Sequence, residues 1–214
     1  MLIKILLNKL KITAPIAHFK IPYTSKVQRT YLLPPPSTII GMLQVIYGYD
    51  IDNFVFGYSF EYETLFKDVI TIHKVWLDKI KPLGISRNNN KKLPDVPADC
   101  CTREYLYNCK LNIYTSLNIP ISMNYSLCMG RSGCLARLHF PIVSTNKYKQ
   151  IISNQYTNAD NNSNHGVIQP INTYSKYDSK TNSFNTIYKS LKLVEKHNGI
   201  YLWKFNNEEL KEVI

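Results

Sequence analysis

The stretch from Gln28 to Leu43, QRTYLLPPPSTIIGML, joins a basic approach, three consecutive prolines and the start of an apolar helix. Each proline fixes its own φ angle and disfavours helix in the residue before it, so the approach should be extended. Ser37 is predicted to cap the helix, with Thr38 just inside the first turn. We expect a helix from Ser37 to Tyr47 that is apolar nearly all round and therefore covered on most sides.

The start of this helix is also a candidate anion site. Free N–H groups and the positive end of the helix dipole attract anions, and Arg29 lies just upstream. Phosphate is the anion expected for so basic a chain. The alternative is plain architecture, in which a proline-led, serine-capped helix does no more than pack under a sheet. The local pattern alone favours architecture.

Composition favours a polyanionic partner. The chain of 214 residues has 26 Lys and Arg against 15 Asp and Glu, giving a net charge of +11 and an isoelectric point near 9.3. Such an excess attracts nucleic acid without sequence preference. The 16 tyrosines among the lysines suit single-stranded nucleic acid, whose bases stack on aromatic rings. Tyrosines that are half-buried in strands are the alternative.

Several protein classes are disfavoured by what the sequence lacks. Polar residues interrupt the apolar N-terminal segment, so no secretory signal is predicted, and no apolar run approaches the roughly 20 residues of a membrane span. The five cysteines are odd in number and form no CxxC pair, and the histidines are scattered singly. We expect a cytoplasmic protein with reduced thiols and with neither metal nor cofactor.

The apolar pattern predicts an antiparallel α+β fold. Leu2 to Thr13 is expected to form a first strand and Ala14 to Leu33 a loop. Phe60 to Leu77 carries stretches of period two. Arg103 to Thr115 is the clearest strand, since apolar and polar residues alternate along it. Strand, helix, strand, strand is the first part of a ferredoxin-like sheet.

A long basic insertion, Asp78 to Cys101, lies between the last two of these strands. Hairpin loops usually have about two to five residues, so the insertion is either a binding appendage or disordered. Residues 1–145 are predicted to form the body of the protein, with this insertion at 78–101.

Residues 146–214 are predicted to be a polar C-terminal region packed on the body. Asn158 to Asn164 and Tyr174 to Phe184 are expected to be exposed loops. Ile187 to Glu195 and Ile200 to Phe205 flank His197-Asn198-Gly199, which is typical of a hairpin turn. A short helix is expected from Asn206 onward.

Three segments together carry a family resemblance. They are RTYLLPPPSTIIGML at 29–43, TREYLYNCKLNIY at 102–114 and MGRS at 129–132. They resemble the fifth family of CRISPR-associated (Cas) proteins, and the similarity leans towards its type I-B branch. With the leading strand and Ala17 to Lys20, the resemblance covers much of residues 1–145.

The resemblance implies a CRISPR RNA-binding subunit of a type I Cascade complex, not an enzyme. Such a subunit caps the 5′ handle of the guide RNA and helps to nucleate the effector filament in antiviral defence. Its body is RRM-like, that is ferredoxin-like, with a protruding β-hairpin thumb where residues 78–101 lie. The implied partners are CRISPR RNA, the backbone subunit (Cas family seven), the large subunit (Cas family eight) and, indirectly, target DNA, with no membrane.

The chain departs from the family pattern at one place. Only Ser116 to Cys128 separates the clearest strand from the Gly-Arg element, and Pro120 lies in the middle. That is too short for a helix and a return strand, so the second helix is predicted to be reduced or lost.

Two arginines are the strongest RNA-binding candidates. The guanidinium groups of Arg29 and Arg131 match phosphate in a bidentate way, and Gly130 would let backbone approach the RNA closely. The lysines can instead be solvated surface residues, and Tyr31 a core residue. The full candidate set is Lys20, Tyr23, Lys26, Arg29, Tyr31, Ser37, Thr38, Arg87, Lys91, Lys92, Gly130, Arg131 and Ser132.

Two alternative functions remain open. The type I-C branch of the same family resembles a metal-independent endoribonuclease, for which His18, Tyr23 and Lys26 would be the candidate acid and base groups. Cleavage of a repeat RNA in EDTA, abolished by His18→Ala, would favour this alternative. A generic single-stranded RNA-binding protein is the other alternative, and it predicts affinity that does not depend on the handle.

Overall fold

The protein is described by a computed structural model that covers residues 6–24, 26–48, 51–73, 98–123, 125–161, 165–206 and 208–213. Most of the insertion from Asp78 to Cys101 lies outside these ranges, so its thumb role remains a prediction. The RNA-binding candidates Arg87, Lys91 and Lys92 also lie outside the described residues.

The described residues form two mainly antiparallel sheets and a single α-helix. In chain order the elements are β1 (Leu7–Ala17), β2 (Val27–Gln28), α1 (Pro36–Tyr47), β3 (Phe54–Glu61), β4 (Thr64–His73), β5 (Ala98–Thr115), β6 (Arg137–Thr145), β7 (Ile152–Asn158), β8 (Val167–Asp178), β9 (Ser183–Asn198), β10 (Leu202–Asn206) and β11 (Glu209–Val213). The first sheet has the order β11-β10-β3-β5-β1-β6, with β2 and β4 added along β5, and the second has the order β7-β9-β8. All pairings of these strands are antiparallel except that of the short β2 with β5. The predicted α+β class, with a mainly antiparallel sheet, is confirmed.

β5 is the central strand, because it has neighbours on both edges over most of its length. β1 runs antiparallel along one edge, and β4 and then β3 follow each other along the opposite edge. The change of partner occurs around Asn108, whose φ of 52° is one that asparagine tolerates better than most residues. The strand predicted from Arg103 to Thr115 is therefore real and begins earlier. The strand predicted to end at Thr13 continues to Ala17.

The predicted helix is confirmed, but its predicted cap is wrong. α1 begins at Pro36 with Pro35 as its N-cap, and no side chain caps it. The carbonyl oxygen of Pro35 accepts the N–H groups of Thr38 and Ile39, so backbone replaces the hydroxyl that we expected from Ser37. Proline suits the first helical position because its φ is already helical and it has no N–H to satisfy.

Tyrosine hydroxyls hold the segment that leads into α1. Tyr58 of β3 donates to the carbonyl oxygen of Pro34 at 2.7 Å, and Tyr156 of β7 donates to that of Leu33 at 3.3 Å. Burial raises the pKa of both phenols well above the usual range, which keeps them protonated as donors. Tyr31 in turn donates to the carbonyl oxygen of Pro170 in β8. The approach to the helix is thus tied to both sheets.

The C-terminal predictions need three corrections. Tyr174 to Phe184 is not a loop, because it holds the end of β8 and the start of β9, which form a long hairpin. The turn at His197 to Gly199 does not join hairpin partners, since β9 pairs with β7 and β10 pairs with β3. The segment after Asn206 forms β11 and not a helix.

The physical reason is that tertiary pairing overrides a weak local pattern. Both faces of the β8–β9 hairpin are largely exposed, and only a few positions, among them Ile171 and Leu191, are fully buried. The period-two apolar signal is therefore too sparse to be read from the sequence.

All five cysteines are free thiols, as predicted. Over the described ranges, no three His, Cys, Asp or Glu side chains gather as a metal site would require. No helix among those residues is both long and apolar enough to span a membrane.

Removing the Tyr58 hydroxyl should destabilise the fold. Tyr58→Phe leaves the buried Pro34 carbonyl without its donor, so the free energy of unfolding should fall by about 1–3 kcal/mol in urea titrations. Tyr107→Phe is the matched control, since this tyrosine is exposed and its loss should change stability by less than about 0.5 kcal/mol. Equal stability of the two variants would mean that the bond to Pro34 contributes nothing.

Candidate nucleic-acid interface

A cleft of about 280 Å³ lies where the end of β1, the start of α1 and the loop at 129–131 meet the β8–β9 hairpin. It brings together residues that are more than 100 positions apart in sequence. Of the RNA-binding candidates that the sequence singled out, the cleft is lined by Lys20, Tyr31, Ser37, Thr38, Gly130 and Arg131. Whether these residues bind RNA remains a prediction, but the fold does place them side by side.

A tight loop presents Arg131. The N–H of Met129 donates to the carbonyl oxygen of Cys134 at 2.7 Å, and the N–H of Cys134 donates to that of Arg131 at 2.9 Å. Arg131 and Ser132 are exposed at the tip of this loop. The guanidinium group can therefore meet an anion from solvent without a backbone change.

Gly130 has an architectural role that sequence reasoning did not foresee. Its φ is 88°, and a Cβ atom there would lie 2.3 Å from the carbonyl oxygen of His18. The glycine is thus needed because the loop passes close to the protein's own β1 backbone, with which it forms a parallel bridge. That contact fixes Arg131 next to the end of β1.

His18 lies below the surface of the cleft, with 2% of its area exposed. Its Nδ1 is 2.7 Å from the carbonyl oxygen of Glu104. A carbonyl can only accept, so Nδ1 carries the proton and Nε2 keeps its lone pair in the neutral ring. Desolvation lowers the pKa of His18, and the nearby Arg103, Arg131 and Lys20 lower it further against the opposing bond to Glu104.

A buried arginine adds positive charge beneath the cleft. Arg103 is 4% exposed and donates Nε–H to Gln28 Oε1 at 2.7 Å and Nη1–H to the Tyr105 hydroxyl at 3.2 Å. The neighbouring Glu104 accepts the N–H of Thr30 at 3.2 Å. These bonds hold the basic approach segment against β5. No local pattern indicates this role, because Arg103 lies in a strand with alternating residues.

The helix start offers fewer donors than the sequence suggested. Pro36 has no N–H, and the N–H groups of Thr38 and Ile39 are used by Pro35. Among the described residues, the N–H of Ser37 has no acceptor, and the hydroxyls of Ser37 and Thr38 are half-buried at the cleft wall. An anion here would meet one amide and two hydroxyls, with the arginine of the facing loop.

The remaining candidates lie elsewhere on the surface. Tyr23 is fully exposed with a φ of 61°, and Lys26 and Arg29 are exposed on the same segment, outside the residues that line the cleft. Of the three candidate catalytic groups, His18 alone lines the cleft. Tyr31 is 3% exposed, and burial raises its pKa to about 12. Most of its ring is therefore part of the core, which was the alternative to a role in stacking.

Two cleft residues were missed by sequence reasoning. Asn172 of β8 and Tyr188 of β9 complete the wall opposite Arg131. Neither has a local signal, because both lie in the region that the sequence pattern assigned to polar loops and a hairpin. Only the packing of the second sheet against α1 brings them to the site.

A family model matches the N-terminal part of the sequence. The model of the family described as CRISPR-associated protein (Cas_Cas5) matches residues 9–93, which include β1, the proline segment and α1. Among curated proteins, none matches the sequence significantly.

One solved structure shares the fold at low sequence identity, and a second is similar to a lower degree. A chain of a "CRISPR RNA-guided surveillance complex" is 12% identical with a TM-score of 0.54, and the match covers 89% of this chain and 90% of that one. A chain of a type III-B Cmr-beta complex bound to cognate target RNA and AMPPnP is 10% identical with a TM-score of 0.48, covering 90% and 85%. The match with a TM-score of 0.54 therefore shows a shared fold, and the family model matches the part of the chain that holds the proline segment.

Burial of neutral His18 should make stability depend on pH. The folded-state pKa of His18 lies below its ordinary value of 6.5, so the unfolded chain binds more protons in acid. The contribution of His18 is therefore present above about pH 6.5 and is lost as the pH falls below it. In urea titrations between about pH 7 and pH 5, His18→Asn should lose less stability than the wild type. A steeper loss in the variant would contradict the depressed pKa.

Proposed function

We propose that this chain is a CRISPR RNA-binding subunit of a CRISPR effector complex. The observation that carries the proposal is the cleft in which Lys20, Arg131, Ser37 and Thr38 converge from three separate parts of the chain. Guanidinium, ammonium, amide and hydroxyl groups in one concave site are the donors that phosphate requires. The family match over residues 9–93 and the net charge of +11 support RNA as the source of that phosphate.

The more specific role is a subunit of a type I Cascade complex that caps the 5′ handle of the guide RNA. Its partners would be the backbone subunit of Cas family seven and the large subunit of Cas family eight, as in the type I-B branch. The strand order β3-β5-β1-β6, with α1 between β1 and β3, supports a ferredoxin-like core. No helix lies in the described residues between β5 and β6, as expected if the second helix is lost.

The thumb would extend from the β4–β5 ribbon. β4 pairs with β5 alone over ten residues, and its side chains are largely exposed, including those of Leu65, Phe66 and Val69. β4 is thus an edge strand with exposed apolar side chains, and such a surface is typical of an interaction site. The basic insertion follows directly from the end of this ribbon.

Arg131 should contribute strongly to RNA binding. Arg131→Ala removes a charged hydrogen bond to phosphate, so affinity for handle RNA should fall by about 1.5–3 kcal/mol in a filter assay. Arg137→Ala is the matched control, because it removes the same charge from an exposed site outside the cleft. Equal losses for the two variants would indicate a diffuse charge effect and no site. Arg29→Ala tests whether the exposed approach segment extends the site.

The ribonuclease alternative is tested by a separate cleavage assay. Cleavage of a repeat RNA in EDTA that His18→Ala abolishes would favour it over simple binding.

Deleting Arg87 to Lys92 tests the thumb role. The fold should be retained, because the core strands and α1 lie outside the deletion, while assembly with the other effector subunits should be impaired. Circular dichroism checks folding, and size-exclusion chromatography of the co-expressed complex checks assembly. Normal assembly around the deletion variant would reject the thumb role while leaving the cleft intact.

A further inference from the structure

We propose that the cleft selects a nucleotide by a hydrogen-bond donor on that nucleotide, which His18 Nε2 and Asn172 Oδ1 accept. The inference rests on the proposed RNA-binding function and names the chemical group that the same cleft reads. Arg131 and Lys20 at the rim would hold the phosphate, and the two acceptors would read the ribose or the base.

Two buried side-chain atoms at this cleft have no hydrogen-bond partner. Within the described residues, His18 Nε2 and Asn172 Oδ1 are the buried side-chain polar atoms that have no hydrogen-bond partner. Both residues line this one cleft, although they come from different sheets. Buried polar groups are nearly always paired, because leaving one unpaired is costly. Two such atoms at one site therefore indicate a ligand that supplies both bonds.

Both atoms are acceptors. His18 uses its Nδ1–H on the carbonyl oxygen of Glu104, which leaves Nε2 with a lone pair. Asn172 donates its amide group to Ser175 Oγ at 2.8 Å, which leaves Oδ1 free to accept. A phosphate diester has no hydrogen to donate and cannot satisfy them. A ribose 2′-hydroxyl or a base imino N–H can satisfy one of them, and an exocyclic amino group, which has two hydrogens, can satisfy both.

The size and rim of the cleft suit one nucleotide. Its volume of about 280 Å³ is close to the lower end of the range of roughly 300–1,000 Å³ for ligand clefts. The side chains of Lys20 and Arg131 are exposed, and Tyr188 is 44% exposed, so these rim groups are free to move onto a ligand. Nε2 and Oδ1 have almost no accessible surface in this structure, so a ligand reaches them only after side chains at the cleft shift.

Two substitutions remove the acceptors with little structural change. His18→Asn keeps an amide N–H near the position of Nδ1 for the bond to Glu104, and it removes Nε2. Asn172→Leu removes Oδ1 with a side chain of similar size. Asn185→Leu is the matched control, since Asn185 is exposed near the turn of the β8–β9 hairpin and does not line the cleft. Urea titration establishes that each variant is folded.

Binding of short oligonucleotides to the full chain, measured by fluorescence anisotropy, tests the inference. The base arm compares oligoadenylate with oligo(purine riboside), which lacks the amino group, and oligouridylate with its 3-methyl form, which lacks the imino N–H. The ribose arm compares each ribonucleotide with its 2′-deoxy form. Removing the donor that the cleft reads should weaken wild-type binding by roughly two- to twelvefold. That difference should shrink in at least one of the two acceptor variants and persist in Asn185→Leu.

Two other outcomes would overturn the inference. One is a wild-type protein for which no donor removal in either arm changes affinity. The other is a donor dependence that both acceptor variants retain in full. In either case, RNA binding that remains sensitive to Arg131→Ala would leave the proposed function standing. No binding of any oligonucleotide by the wild type would instead count against the proposed function itself.

Discussion

The hydroxyl of Tyr58 donates a hydrogen bond to the carbonyl oxygen of Pro34, 2.7 Å away, in the buried interior. The prolines at 34–36 have no N–H groups, so this segment cannot join a sheet by donating bonds. It is held through its carbonyl groups instead, by Tyr58 from the first sheet and by Tyr156 from the second. The direction of α1 and the position of its first turn depend on these contacts.

Two further contacts determine the shape of the cleft. Tyr31 donates to Pro170 and so fixes β8 beside the proline segment, two residues before Asn172. On the opposite side, the close contact of Gly130 with the His18 carbonyl oxygen fixes the loop that carries Arg131. Neither contact involves a charged group. Uncharged contacts therefore position the site, and the charged residues supply the groups that would bind phosphate.

Electrostatics and burial divide the site into two layers. Lys20 and Arg131 are exposed at the rim, where solvent screens them until an anion arrives. His18 and Arg103 lie beneath, and the nearby positive charges help to keep His18 neutral. A rim that attracts phosphate above a floor of neutral acceptors can combine non-specific attraction with selection of a chemical group. Each layer combines residues from segments that are distant in the chain, Lys20 with Arg131 and His18 with Arg103.

Sequence alone determined the elements with strong local patterns. These include the helix after the prolines, the alternating strand that became β5 and the free state of the cysteines, because each follows from a short-range rule. It also identified Arg131, Lys20, Ser37 and Thr38 as candidates. Only the tertiary structure decided that Pro35 caps the helix, since that depends on a backbone carbonyl and not on residue type. It also decided that Asn172 and Tyr188 reach the cleft, because β8 and β9 are strands only through pairing and packing that no local pattern reveals.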